Sequence, residues 1–148
     1  MTTHSPKLAE AKRAWYILDA QSAPLGRIAS AAAGLLLGKG KPDFSSHLDN
    51  GDFVIIVNAR QLRVTGDKLA KKQYYRHSRY PSGLRVRSLS QVLQKDAKKV
   101  IHHAIRGMLP DNKLRAARLK RLKVYEGADH QHQAQQPAVF VLNEKGSS

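Results

Sequence analysis

Ten consecutive residues, Lys71-Lys72-Gln73-Tyr74-Tyr75-Arg76-His77-Ser78-Arg79-Tyr80, alternate cations with aromatic rings. Cations hold phosphates, and rings offer stacking faces to unpaired bases. A charged surface that only keeps a protein soluble has no need of the tyrosines. The chemistry of this segment is recognition of nucleic acid, and single-stranded or irregular RNA suits it better than regular duplex. With Arg85 and Arg87, residues 71–87 carry six cations. At least one tyrosine is expected to point into the core, because alternate strand residues face opposite ways.

A second cationic stretch, 113–123, holds Lys113, Arg115, Arg118, Lys120, Arg121 and Lys123. On a helix Leu114, Leu119 and Leu122 fall on one side, but Arg115 and Arg118 lie inside the same arc, so no clean apolar stripe exists. Like charges three apart cost an isolated helix a few tenths of a kcal/mol each, roughly. Packing alone is expected to hold this helix poorly, and its six cations are assigned to phosphates. The plainer alternative is a solvated surface helix. Lys39, Lys41, Lys68 and Arg106 join the expected RNA contacts as basic residues, and His130 and His132 join them as groups that hydrogen-bond to protein or RNA.

Other chemistries find little support. Gly34-Leu35-Leu36-Leu37-Gly38-Lys39-Gly40 has three residues between its glycines where a phosphate loop has four, and Gly40 stands where Ser or Thr would hold magnesium. It also ends a helix, whereas phosphate binding needs a helix start. His102 and His103 diverge by about 100° on a helix. His130 and His132 lack an evident third ligand, so no metal site is expected. Asp49 and Asp52 flank a turn and read as turn chemistry. No catalytic grouping, cofactor or small-molecule substrate is expected. The absence of cysteine excludes disulfides, thiolate zinc sites and cysteine nucleophiles.

The charge is unevenly placed. Nineteen of the 26 Lys and Arg residues lie between Arg60 and Tyr125, against Asp67, Asp96 and Asp111 alone, in a chain of formal net charge +15. Such a surplus repels itself and calls for an external anion. At 148 residues and 41% hydrophobic content the chain suits one domain with a real core. The longest nearly apolar run, Ile28 to Gly38, falls short of the roughly 20 residues that span a bilayer. The first 14 residues hold Lys7, Glu10, Lys12 and Arg13 and no apolar stretch, so no signal peptide is visible, and no membrane partner is expected.

The elements that must position these residues alternate. A loose tail over 1–13 precedes a strand at Trp15 to Ala20. A helix starts at Leu25, with apolar residues at 25, 28, 29, 32, 35 and 36, Pro24 in its first turn and Ser22 as a candidate cap. It breaks in Gly38-Lys39-Gly40-Lys41-Pro42. Phe53 to Val57 reads as a strand buried on both faces, and Arg63-Val64-Thr65 as a short one. Pro81-Ser82-Gly83 makes a loop. Ser88 opens a helical region, broken near Asp96, that runs to Gly107, and the last helix spans Lys113 to Lys123. The alternation indicates an α/β domain with a mainly parallel sheet over 14–137, followed by a peripheral tail over 138–148.

Eight strings in order carry a resemblance across roughly residues 13 to 137. They are Trp15-Tyr16-Ile17-Leu18-Asp19-Ala20 with Leu25-Gly26-Arg27, Gly38-Lys39-Gly40-Lys41-Pro42, Gly51-Asp52-Phe53-Val54-Ile55-Ile56-Val57-Asn58-Ala59, and Val64-Thr65-Gly66-Asp67-Lys68. Tyr75-Arg76-His77-Ser78, Gly107-Met108-Leu109-Pro110, Leu122-Lys123-Val124-Tyr125 and Ala134-Gln135-Gln136-Pro137 follow. The chain so resembles the bacterial-type large-subunit ribosomal protein L-thirteen family. The resemblance implies a three-layer α/β/α domain around a small parallel sheet, with basic extensions. It implies a cytoplasmic, non-enzymatic constituent of the large ribosomal subunit that binds its RNA, meets neighbouring ribosomal proteins and supports early assembly. Some members also repress their own messenger RNA.

The chain departs from the family pattern in three places. Arg79 and Ser82 stand where the loop after His77 usually has glycines, so a positive φ there would carry strain. Leu114-Arg115-Ala116 replaces Leu-Gly-Arg, and Gln131 replaces a proline between His130 and His132. A free RNA-binding regulator would share all these features except residence in the ribosome, and a nucleotide-binding enzyme would need the phosphate loop that is missing.

Overall fold

The computed structural model describes residues 5–142. Four parallel strands form its sheet: β1 (Trp15–Asp19), β2 (Phe53–Val57), β5 (Leu122–Val124) and β6 (Ala138–Val139), in the order β5-β2-β1-β6. Two strands lie apart as an antiparallel hairpin, β3 (Gln73–His77) and β4 (Leu84–Ser88). The helices are α1 (Leu25–Leu37), α2 (Lys68–Lys71), α3 (Leu89–Lys95), α4 (Ala97–Met108) and α5 (Leu114–Lys120). The α/β class and the mainly parallel sheet are those expected from the sequence.

The first crossover follows its periodicity. On α1, Leu25, Ile28, Ala29, Ala32, Ala33, Leu36 and Leu37 are buried. They meet Val100, Ile101 and Ile105 of α4 and Leu18, Val54 and Ile56 of the sheet in one core. Pro24, in extended backbone, is the N-cap and makes no side-chain cap bond. Ser22 does not cap; its hydroxyl donates to the Asp19 carbonyl at 2.7 Å. Gly38 closes α1 in the left-handed region at φ 79°, the conformation glycine adopts at least cost.

The helical region after Ser88 breaks where expected. Ser88 and Gln91 form a capping box at α3, and the Asp96 carboxylate accepts from the Lys99 amide to start α4. On the other sheet face Trp15 stacks on Phe53 at 4.2 Å, and His132 lies 5.0 Å from Trp15.

Three elements differ from expectation. The last helix spans only Leu114–Lys120, because Leu122–Val124 leaves it to pair with β2. Ala138 and Val139, within the stretch assigned to a tail, pair with Tyr16 and Ile17 of β1. Arg63 contributes one bridge, to Pro24, in place of a strand.

Candidate nucleic-acid interface

The β3–β4 hairpin stands over α4 and α5, and between them opens a cleft of about 1530 Å³. The hairpin register gives it two faces. Tyr74 pairs with Arg87 and Arg76 with Arg85, so these four share one side. On β4 Arg85 and Arg87 border the cleft and Leu84 and Val86 do not, while on β3 every residue from Gln73 to His77 borders it. Arginines directly opposite in an antiparallel pair repel, so Arg76 and Arg85 favour a bound anion between or above them. Tyr74, half-buried, meets His103 of α4 edge-on at 5.1 Å, which ties the hairpin to the helix. Burial raises the Tyr74 hydroxyl above its ordinary pKa. Lys72 holds its ammonium 5.6 Å from the centre of the same ring.

Eight of the residues marked in the sequence come together here: Arg76, His77, Arg79, Arg85, Arg87, Arg106, Lys113 and Arg115. Arg115 is held by Asp111 at 2.8 Å, and Asn112 accepts from the Leu114 amide at the start of α5. The sequence reading left out Lys99, His102 and His103, which line the cleft beside Arg106. Their spacing was the available signal: 99, 102, 103 and 106 fall on one face of a helix. Partial burial lowers the pKa of His102, against the pull of Asp96, so its ring offers a neutral hydrogen-bonding edge near neutrality.

The loop over the cleft keeps an unusual backbone. Arg79 has φ 65° and Ser82 φ 58°, the two positions where glycine would be expected from the resemblance. The Arg79 amide donates to His77 Nδ1 at 2.9 Å and so steadies one of them. Gly83 must lack a side chain, since a Cβ there would overlap the Ser78 hydroxyl. Tyr80 is 75% exposed at the tip, outside the cleft lining, and so is not a core residue.

Other marked residues lie elsewhere. Lys39, Lys68, Lys71 and Lys120 are exposed away from the cleft, with Lys71 3.0 Å from Asp67. Lys123 is half-buried on β5. Lys41 is spent internally: its ammonium reaches Asp52 at 2.7 Å and the carbonyls of Lys12 and Asn50. His132 shares a 2.9 Å hydrogen bond with the Tyr125 hydroxyl, and its amide donates to His130 Nδ1 at 3.2 Å, so both histidines fix their own loop.

Arg118 and Arg121 require a correction. They are 1% and 4% exposed and cannot present charge to a phosphate on this surface. The arc of α5 that held both leucines and arginines does face inward, and Asp49 is what admits the cations. Arg121 donates to both Asp49 oxygens and to the Leu36 carbonyl, while Arg118 Nε lies 3.7 Å from Asp49. Asp49 is therefore more than turn chemistry. Burial works to raise its pKa, but the hydrogen bond and charge of Arg121, then the charges of Arg13 and Arg118, lower it overall. Asp52 likewise accepts from the Ala14 amide at 2.9 Å.

The family model described as "Ribosomal protein L13" matches residues 13–131. The chain is 52% identical over 144 residues to the "Large ribosomal subunit protein uL13" of Mycolicibacterium smegmatis, covering 97% of this chain and 98% of that protein. The protein of the same name from Kocuria rhizophila is 53% identical over 144 residues, with the same coverage. That of Lawsonia intracellularis is 50% identical over 142 residues, 96% of this chain and 99% of its own.

Proposed function

Because the chain belongs to the ribosomal protein L13 family, we propose that it is a structural constituent of the large ribosomal subunit that binds the subunit's RNA through the cleft between the β3–β4 hairpin and helices α4 and α5. The observation that carries this reading is the arginine cluster of the hairpin facing Lys99 and Arg106 of α4 across one open cleft. Phosphates would neutralise the Arg76–Arg85 repulsion, and the rings of Tyr74, His102 and His103 supply flat faces for bases. The irregular, single-sided shape suits splayed or looped RNA better than a regular duplex.

The role is structural, not enzymatic, and belongs to the cytoplasmic ribosome. Its charge makes early binding to nascent subunit RNA the natural point of entry, since a cationic surface associates fast with a polyanion. Its own messenger RNA, if bound, would compete for the same cleft. Sedimentation of a cell extract through a high-salt gradient tests the assignment. The chain should travel with large subunits. Its recovery at the top of the gradient would favour a free RNA-binding regulator.

A further inference from the structure

The glycines between residues 34 and 40 are not all explained by the fold. Gly38 needs its positive φ to close α1. Gly34 and Gly40 do not: neither has a positive φ, and a Cβ on either meets nothing within 4 Å. Gly34 even sits inside α1, where glycine costs helix stability relative to alanine. What the two missing side chains leave open is a pocket of about 370 Å³, which they border together with Tyr16, Leu35 and Phe140. It shares no lining residue with the cleft and has about a quarter of its volume, room for one nucleotide and not for a strand.

We infer that this pocket takes one unpaired, amine-bearing base of the large-subunit RNA, with the base's phosphate at the mouth on Lys12 and Lys39. Tyr16 and Phe140 meet edge to face at 6.1 Å, and both are only half-buried, so ring surface is left for a base. Asp52 lines the pocket at 4% exposure. The Ala14 amide and the Lys41 ammonium both meet its Oδ1, which leaves Oδ2 to accept from an exocyclic amine. Lys12, on the rim, and Lys39, between Gly38 and Gly40, are exposed and enter no ion pair among the described residues. The charges therefore sort the nucleotide: the buried carboxylate repels a phosphate from the interior, and the two ammonium groups hold it outside. An aliphatic side chain from a neighbouring protein would leave the Asp52 oxygen unpaired and use neither cation. The inference rests on the RNA-binding reading above and adds to it a contact apart from the cleft.

Filling the pocket tests it. Gly34→Leu and Gly40→Leu each add a side chain where a Cβ has free space, and neither removes a charge. The melting temperature shows whether each is folded, and a variant that keeps the parent value decides. Affinity for protein-free large-subunit RNA should fall about five- to a hundredfold, the range of one stacked base, with the salt slope unchanged. Dimethyl sulfate and kethoxal, which read base edges, should find one unpaired A, C or G protected by the parent chain and reactive with the variants. Parent-like affinity and protection in a folded variant would overturn the inference. A defect confined to entry into the subunit would overturn it too, by giving the pocket to a protein side chain. The cleft is scored separately, with Arg76, Arg85, Arg87 and Arg106 changed to Gln. Full affinity in that variant, with the glycine variants still defective, would remove the cleft reading and leave the pocket standing.

Discussion

Asp49 grips Arg121 with both carboxylate oxygens, each 2.5 Å from a guanidinium nitrogen, across 72 positions of sequence. The pair pins the end of α5 and the start of β5 to the loop that follows α1, and it leaves Arg118 buried beside it. Breaking a buried pair from the acidic side strands two cations. Asp49→Ala should lower unfolding free energy by about 3–5 kcal/mol, read by urea denaturation.

The same carboxylate sets an acid limit. Its pKa is lowered below the ordinary 3.8 in the folded chain. A depressed carboxylate stabilises above its unfolded pKa, and that stability is lost as pH falls through the folded value. Unfolding midpoints measured below about pH 4 should therefore fall in the parent chain, and Asp49→Asn should show less of this acid slope while being less stable at neutral pH.

Arg118 should behave oppositely to its partner. Its Nε and Nη1 find no hydrogen-bond acceptor among the described residues, and burial lowers its pKa although Asp49 works against that. Replacing an imperfectly paired buried cation by an apolar side chain is often neutral or stabilising by about 1–4 kcal/mol. Arg118→Met should accordingly keep or raise the melting temperature and leave the salt dependence of RNA binding unchanged. A loss of one phosphate contact's worth of slope would show that this side chain reaches RNA.

Two glycines of one loop should respond differently to the same change. A Cβ at Gly51 would overlap the Leu36 carbonyl oxygen, whereas one at Gly40 meets nothing within 4 Å. Gly51→Ala should cost at least about 1–3 kcal/mol through forced backbone movement, and Gly40→Ala should change stability little. Thermal unfolding of both variants checks the contrast.

Much of this was legible beforehand, and the omissions have physical causes. Leu25 to Leu37 announces its helix by period, and Phe53 to Val57 its strand by an unbroken apolar run. Strand β5 was hidden because its three residues continue a cationic run with helical spacing. Strand β6 has only two residues and takes its identity from β1. The cleft was half visible: the hairpin segment stood out by composition, but of the α4 face only Arg106 was marked, although Lys99, His102 and His103 share its helical spacing. Nothing local, however, says that the two meet. The inward turn of Arg118 and Arg121 depends on Asp49, which is distant in sequence and looks like an ordinary turn residue there.

The cleft as the RNA surface is tested most directly by one salt titration. Affinity for large-subunit RNA is measured against salt for the parent chain and for a variant with Arg76, Arg85, Arg87 and Arg106 each changed to Gln. Each phosphate contact contributes about 0.7–0.9 to the log–log slope, so the variant's slope should be shallower by roughly three. An unchanged slope, with the fold intact, would contradict the assignment of RNA to this cleft.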